Sequence, residues 1–535
     1  MRKRPSSCSW PGRQQCSSAG RPPIWKARQS SSSHAPFFAA TGTFCIRTRH
    51  EEAARAVKHI RSHVAVLSHR EIETIHRASL EILADVGIEV PNDVLLERLR
   101  AVGAEVHGER ARLPAVVIER MLAACVGPRG NERARRRWFQ QGEVRVTNGS
   151  EMMLLSYPEH IRRPGTLDDV LRGIALTNTL PTIGWALPVV VPADVPLEVA
   201  PLAAYRLGCL YSTKPFNVYF GLQQSPYLME MAGLVAEARG VAKRELGLSF
   251  GFGIVSPLRF TADDLACAVA MAGNGFHANC YSFITVGATG PASMAGALAL
   301  SNAERLACLT LMWLWGEIGG YAEGFVDDPC MIEPRTLATS FAHPNLTTLA
   351  IATGQLSRFY GLGAGGGGLA LSDSKWIDYQ DGFERGMGAA FCILAGGGIG
   401  NSGIVGPDEA MSFEQLVIDD ASLSAINWIR QGIEVTDDAL ALGIIKEVGI
   451  GGGYLDQEHT VRYLRKEYWE SPIFTRLSWS DWERGGRETL MERAHREVER
   501  ILAQGYPPQP LLPEAVDSQL QAIVGRARRE LIHEP

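Results

Sequence analysis

The sequence predicts an α/β fold, a closed TIM-type (β/α)8 barrel with an N-terminal helical segment and a C-terminal helical appendage. Three observations point there. Nearly half of the 535 residues are apolar, enough to fill a large core. Short apolar runs of strand character alternate with capped, helix-periodic stretches. About eight strand-like runs fit within roughly 300 residues, which a closed parallel barrel explains more economically than an open doubly wound sheet.

The first helix is read from "LSHREIETIHRASLEILADVGIEV". Ser68 precedes Glu71 by three residues, Ile72, Ile75, Ile82, Leu83 and Val86 keep helical spacing, and Gly87 stands where the chain must turn away. Similar boxes at Thr166/Asp169, Thr261/Asp264, Ser412/Gln415 and Ser480/Glu483 each open a helical stretch. Between them lie the strand candidates "VRVTNG" (144–149), "IGWALPVVV" (183–191), "FNVYFGL" (216–222), "LSFGFGIVS" (248–256) and "CYSFITVGATG" (280–290). Two Gly-rich segments, 361–372 and 396–404, continue the alternation. Beyond about residue 455 the pattern turns helical, with Trp469, Trp479 and Trp482 in charged surroundings. The resulting division is a disordered extension (1–60), an N-terminal helical subdomain (61–140), the barrel (141–455) and the C-terminal appendage (456–535).

Charge is uneven along the chain. Residues 1–50 hold nine Lys or Arg and no Asp or Glu, so the formal net charge of −5 leaves about −14 on the rest. An acidic body argues against a nucleic-acid binder. The Arg/Ser/Pro-rich start lacks periodicity and a secretory apolar run, and suits a disordered tail, an organelle transit segment or an upstream start codon. No apolar run reads as a membrane span. The ten cysteines include no CxxC pair, which suggests reduced, buried thiols in a cytoplasmic protein.

Chemistry in a barrel sits where strands end and helices begin. "GLGAGGGGLALSDSK" (361–375) matches G-x-G-x-x-G but lacks the helix that should open immediately after it, and no G-K-[ST] occurs. A bare backbone lining a cavity, around Gly367, competes with phosphate binding. In "VGATGPASMAGALALSNAERLACLTLMWLW" (286–315), Pro291 occupies a first helical position. The helix N-terminus, with the Thr289 and Ser293 hydroxyls, is placed to hold an anionic group, or simply to cap. Ser301, Asn302 and Glu304 lie inside that apolar helix, where polar groups need partners. Strand-end aromatics, among them Trp185, Tyr219, Phe220, Phe252, Tyr281, Phe283, Tyr321, Phe325 and Trp376, divide between core and a wall of ring faces suited to a quaternary ammonium. No HxH or HExxH occurs among the thirteen histidines and no G-x-S-x-G elbow is present, which disfavours a metal site and a serine hydrolase.

The blocks "ILADVGIEV", "LTNTLPTIGWALPVVVPADVP", "STKPFN", "GATGPASMAGALALSNAE", "LSDSKWIDYQDGFE", "SFEQLVIDD" and "GIGGGYLDQEHTVRYLRKEYWESPIFTRLSWSDWERGG", in that order over about residues 65–530, resemble the trimethylamine methyltransferase (MttB-type) family. The resemblance implies a barrel enzyme that moves a methyl group from a methylated or quaternary amine to the cobalt of a separate corrinoid protein, binding no cofactor tightly itself. Founding members of that family carry pyrrolysine in the loop corresponding to about 363–375, and none occurs here. The pyrrolysine-free branch is associated with quaternary amines such as glycine betaine. A quaternary ammonium is already charged and departs as a neutral amine, so it needs positioning more than acid catalysis. On this reading Tyr281, Phe283 and Gly367 line the pocket, Thr289 and Ser293 meet an anionic end of the substrate, and Asp373, Lys375, Asp378 and Gln380 frame the rim. No catalytic residue is assigned. A possible homo-oligomer, and a non-catalytic binder or sensor of such amines as the alternative, remain compatible with the sequence.

Overall fold

The computed structural model describes residues 64–125, 144–316, 326–327, 329–362, 367–369, 371–395 and 398–532. The 1–60 extension therefore lies outside the described residues, as do residues 363–366 of the Gly-rich segment and the aromatics Tyr321 and Phe325.

Alternation of strand and helix holds from Val146 to Arg430, and the strands of one inner run are parallel, while Met153–Ser156 with Ile161–Pro164, Cys330–Ile332 with Thr339–Ser340 and Ile404–Val405 with Ala410–Met411 form antiparallel pairs beside it. Val146–Thr147 pairs with Ile183–Trp185. Ala186 bridges in parallel to Phe216. Phe216 donates its N–H to the carbonyl of Leu246 at 3.0 Å, while the Asn217 carboxamide accepts from the N–H of Ser249 at 3.0 Å. Ser249–Ile254 then pairs with His277–Ser282, whose last residues pair with Val326–Asp327. On the other side Gly367–Leu369 pairs with Gly398–Gly400, and Ser402 bridges in parallel to Asn148. This gives eight parallel segments in consecutive neighbour order. Among the described residues, pairing between 326–327 and 367–369 is not seen, and the architecture is stated as a mixed helix and strand fold around a parallel run.

Helices cover this run on its outer face for local reasons legible in the sequence. Ser68 and Thr166 form reciprocal capping boxes with Glu71 and Asp169, and Thr261 and Ser412 each accept from the N–H three residues on. Gly87 turns the chain at φ 77°, where a Cβ would sit 2.4 Å from the carbonyl oxygen of Ala111. Three expectations need correction. The C-terminal cap is Ser478 with Asp481, two residues before the predicted Ser480/Glu483 box. The long apolar helix begins at Met294 with Ser293 as its N-cap, so Pro291 lies in the preceding turn. The "FNVYFGL" run (216–222) forms a parallel bridge at Phe216 rather than a full strand.

Met294–Leu314 is the central packing helix: fifteen of its 21 residues are buried. Its polar residues reach specific partners. The Glu304 carboxylate accepts from the Ser256 hydroxyl (2.8 Å), the Leu258 N–H (2.9 Å) and the Ser282 hydroxyl (2.6 Å), tying this helix to the ends of two strands. Asn302 donates to the Ser79 and Tyr360 hydroxyls at 2.9 and 2.8 Å. The expectation of reduced thiols is corrected at one pair, since Cys280 and Cys308 form a disulfide between strand and helix. Strand-on-helix packing, which no local spacing reveals, brings their Cα atoms to 5.9 Å. Cys125, Cys209, Cys267 and Cys330 are outside any disulfide. No helix among the described residues is long and apolar enough to cross a membrane.

Candidate functional site

Alternation along His277–Ser282 decides which side chains face the interior of the sheet. Cys280 and Ser282 point outward, to Cys308 and Glu304 on the covering helix. Asn279 and Tyr281 therefore point the other way. Their register partners on the neighbouring strand are Gly251 and Gly253. A Cβ on Gly253 would lie 2.5 Å from Cε2 of Tyr281, and one on Gly251 3.2 Å from Cε1. Two side-chain-free residues thus make the bed on which the Tyr281 ring lies.

The ring is not sealed in. Tyr281 keeps 40% of its surface exposed, Phe283 38%, and Gly251 is exposed although it sits in an inner strand. An inner strand that meets solvent on one face borders an accessible space. Burial, with the nearby Asp264 charge adding to it, pushes the Tyr281 phenol above its ordinary value. The ring stays neutral at physiological pH. Phe252 points outward instead and is fully buried against Phe260 and Trp315, so it belongs to the core.

Phe283 leads to the Gly-rich side of the rim. Its ring meets Phe341 at a centroid distance of 5.8 Å. The N–H of Phe341 donates to the Asp373 carboxylate at 2.9 Å, and the Ser340 hydroxyl donates to the same carboxylate. Phe283 and Asp373, far apart in sequence, are thus linked through Phe341 on one side of the rim. Gly367 sits in the strand paired to Gly398.

Other residues singled out in the sequence bond within their own loops. The Thr289 hydroxyl accepts from the N–H of Thr285 at 2.8 Å, closing the 285–290 turn. Ser293 is exposed at the N-cap and makes no side-chain cap bond. Lys375 donates to the backbone carbonyl of Asp373 at 2.9 Å. Asp378 caps the helix Tyr379–Leu394 by accepting from the N–H of Asp381, and also accepts from the Ser374 hydroxyl. Gln380 donates to Glu384, which accepts in turn from the Ser372 hydroxyl and the Asp373 N–H. The polar set shapes the 372–384 turn around Asp373.

One rim feature escaped the sequence reading. Glu151, just past the strand Val146–Thr147, is locked by two backbone bonds to Val189 and Val191 and faces Asp408 from a hairpin more than 250 residues away. Burial and the Asp408 carboxyl push the Glu151 carboxyl up to about 8. The signal was the polar ending of "VRVTNGSE", but the partner carboxyl has no local signature. The Trp376 ring packs tilted against His160 at 4.3 Å between centroids, joining the end of the Gly-rich loop to the turn between the antiparallel strands Met153–Ser156 and Ile161–Pro164. Among the described residues, no group of three or more His, Cys, Asp or Glu side chains is placed to hold a metal ion.

Aromatic side chains over bare glycines at the strand ends of a parallel α/β run lie where such scaffolds place their small-molecule sites. The chain belongs to the trimethylamine methyltransferase family, a family of methyltransferases, whose model matches residues 44–532. A glycine betaine methyltransferase of Desulfitobacterium hafniense (strain Y51) is 27% identical over 477 residues, covering 87% of this chain and 98% of its own. The trimethylamine methyltransferase MttB of D. hafniense (strain DSM 10664 / DCB-2) is 23% identical, covering 87% and 95%. The MttB of Methanosarcina barkeri is 30% identical over 276 residues, covering 51% of this chain and 54% of its own. Among solved structures, the M. barkeri monomethylamine methyltransferase MtmB aligns over 88% of this chain and 95% of its own, at 10% identity and a TM-score of 0.39.

Proposed function

We propose that this methyltransferase takes a methyl group from a quaternary amine of the glycine betaine type and delivers it to a reduced corrinoid carried by a separate protein in the cytoplasm. The supporting observation is the Tyr281 ring, held flat over Gly251 and Gly253 and open to the interior. A tetraalkylammonium has no N–H to donate, so a neutral ring face is a fitting partner for it. The similarity to the D. hafniense glycine betaine methyltransferase supports the same reading.

In this reading the eight parallel segments close as a (β/α)8 barrel by joining 326–327 to 367–369. Tyr281 and Phe283 replace water around the cation, and the exposed N-cap at Ser293 receives the carboxylate end. The C–N bond breaks with its electron pair staying on nitrogen, so the amine leaves neutral and no proton is required. The corrinoid, supplied by its own carrier protein, is the methyl acceptor. This chain binds the donor, orients it and excludes water from it.

The test supplies reduced corrinoid protein with glycine betaine, carnitine, choline, proline betaine and trimethylamine, and follows methylcobalamin formation. Turnover with a quaternary amine supports the proposal, and turnover with trimethylamine alone sinks it. Thermal stabilisation by a quaternary amine with no methyl transfer identifies a binder or sensor instead.

A further inference from the structure

From residue 428 to residue 472 no side chain is buried, although the segment is folded into the helices Asp437–Leu440, Leu442–Val448 and Glu458–Glu467. These helices are held to each other by polar contacts. Asp438 accepts from Arg462 and from the Tyr463 hydroxyl, both at 2.9 Å, and Lys466 pairs with Glu434 at 2.6 Å. The apolar side chains are left outside. Among the described residues, twelve of the 32 large apolar side chains that stay exposed fall in this short arm. They include Ile433 (79%), Leu442 (57%), Ile445 (48%), Ile450 (108%), Leu455 (88%) and Leu464 (56%).

We infer that this arm is the self-association element of the protein, packing against a second copy of the chain. Twelve large apolar side chains, each more than two-fifths exposed, offer surface comparable to the roughly 800 Å² that each partner contributes to a stable interface. The arm also leaves the body at the wrong end to serve the methyl acceptor. Its root is the end of the helix Phe413–Arg430, where Asn427 bonds both the N–H and the carbonyl of Val144, just before the strand Val146–Thr147 begins. Trp469 returns the chain to Ser424 on the same helix at 3.1 Å. The acceptor must approach the opposite end, where strands finish, and must leave after each turnover, which a large aliphatic surface does not favour. A permanent, symmetric contact between copies fits both facts.

The experiment is sedimentation velocity on the full chain over a micromolar concentration series, with Ile445→Asp/Leu464→Asp alongside. Wild type should run as a dimer or a higher closed oligomer, and the double variant as a monomer with unchanged circular dichroism and a dissociation constant raised at least about 100-fold. Hydrogen exchange of wild type across residues 433–468, slowing as concentration rises, covers the case in which the variant does not fold. A monomeric wild type, a variant that assembles as wild type does, or protection that rises only with added corrinoid protein or with phosphatidylcholine vesicles overturns the inference.

Discussion

The aromatic ring of Tyr281 occupies the space that a side chain on Gly253 would need, with Cε2 2.5 Å from the position of a Cβ there. Ring and glycine are register partners on adjacent parallel strands. Gly253→Ala should therefore displace the ring, which is the movable party, at small cost to stability. KM for a quaternary amine is expected to rise by about tenfold, with kcat changing less. Tyr281→Phe keeps the ring and should stay within a few-fold of wild type, whereas Tyr281→Ala should lose a further cation–π contribution of about 1 kcal/mol. A steady-state comparison of the three variants checks the order, and an unchanged KM in Tyr281→Ala would remove the ring from the site.

Glu151 titrates at about 8 in the folded chain because it is buried beside the carboxyl of Asp408. Its ordinary value is 4.5. Between these values the unfolded chain has released this proton while the folded chain still holds it, so this group makes stability fall as pH rises from about 4.5 to about 8 and adds no further slope above that. Glu151→Gln should flatten the decline across that window. Melting temperature measured against pH for both proteins checks it, and parallel curves would refute the assignment.

Glu304 is fully buried and accepts three hydrogen bonds from Ser256, Leu258 and Ser282. Glu304→Ala strands those donors away from water and leaves a void, for an expected loss of about 3 kcal/mol in denaturant unfolding. Glu304→Gln retains one acceptor oxygen and the shape, and should lose about half as much. Equal losses in the two variants would mean that the missing acceptor oxygen, not the void, sets the cost.

Asp373 holds Ser340 and Phe341, and Phe341 contacts Phe283. Asp373→Ala should free that edge of the rim, raising KM several-fold while lowering global stability by about 1–2 kcal/mol. The serine variant Ser340→Ala removes one of the two bonds and should show a smaller effect in the same direction. A stability loss with unaltered KM would separate this network from the substrate.

Much of the scaffold was readable locally because its signals are short-range. The Ser68/Glu71 and Thr166/Asp169 boxes act over three residues, and they cap the helices they were expected to cap. The strand runs at 146, 183, 249, 277 and 398 carry their apolar character in single stretches. Tyr281 and Phe283 could be named as aromatics near strand ends, yet nothing local says which of them turns inward.

The sequence by itself determined the order of helices and strands, the turn at Gly87, the acidic body and the membership of a methyltransferase family, since each rests on residue chemistry or on a pattern within one stretch. Tertiary structure alone decided that Tyr281 lies over Gly253, that Glu151 meets Asp408, that Glu304 gathers three donors and that Cys280 joins Cys308. Those relationships depend on strand register and on helix packing across the sheet, and both are fixed by the best simultaneous burial of distant segments rather than by any one of them.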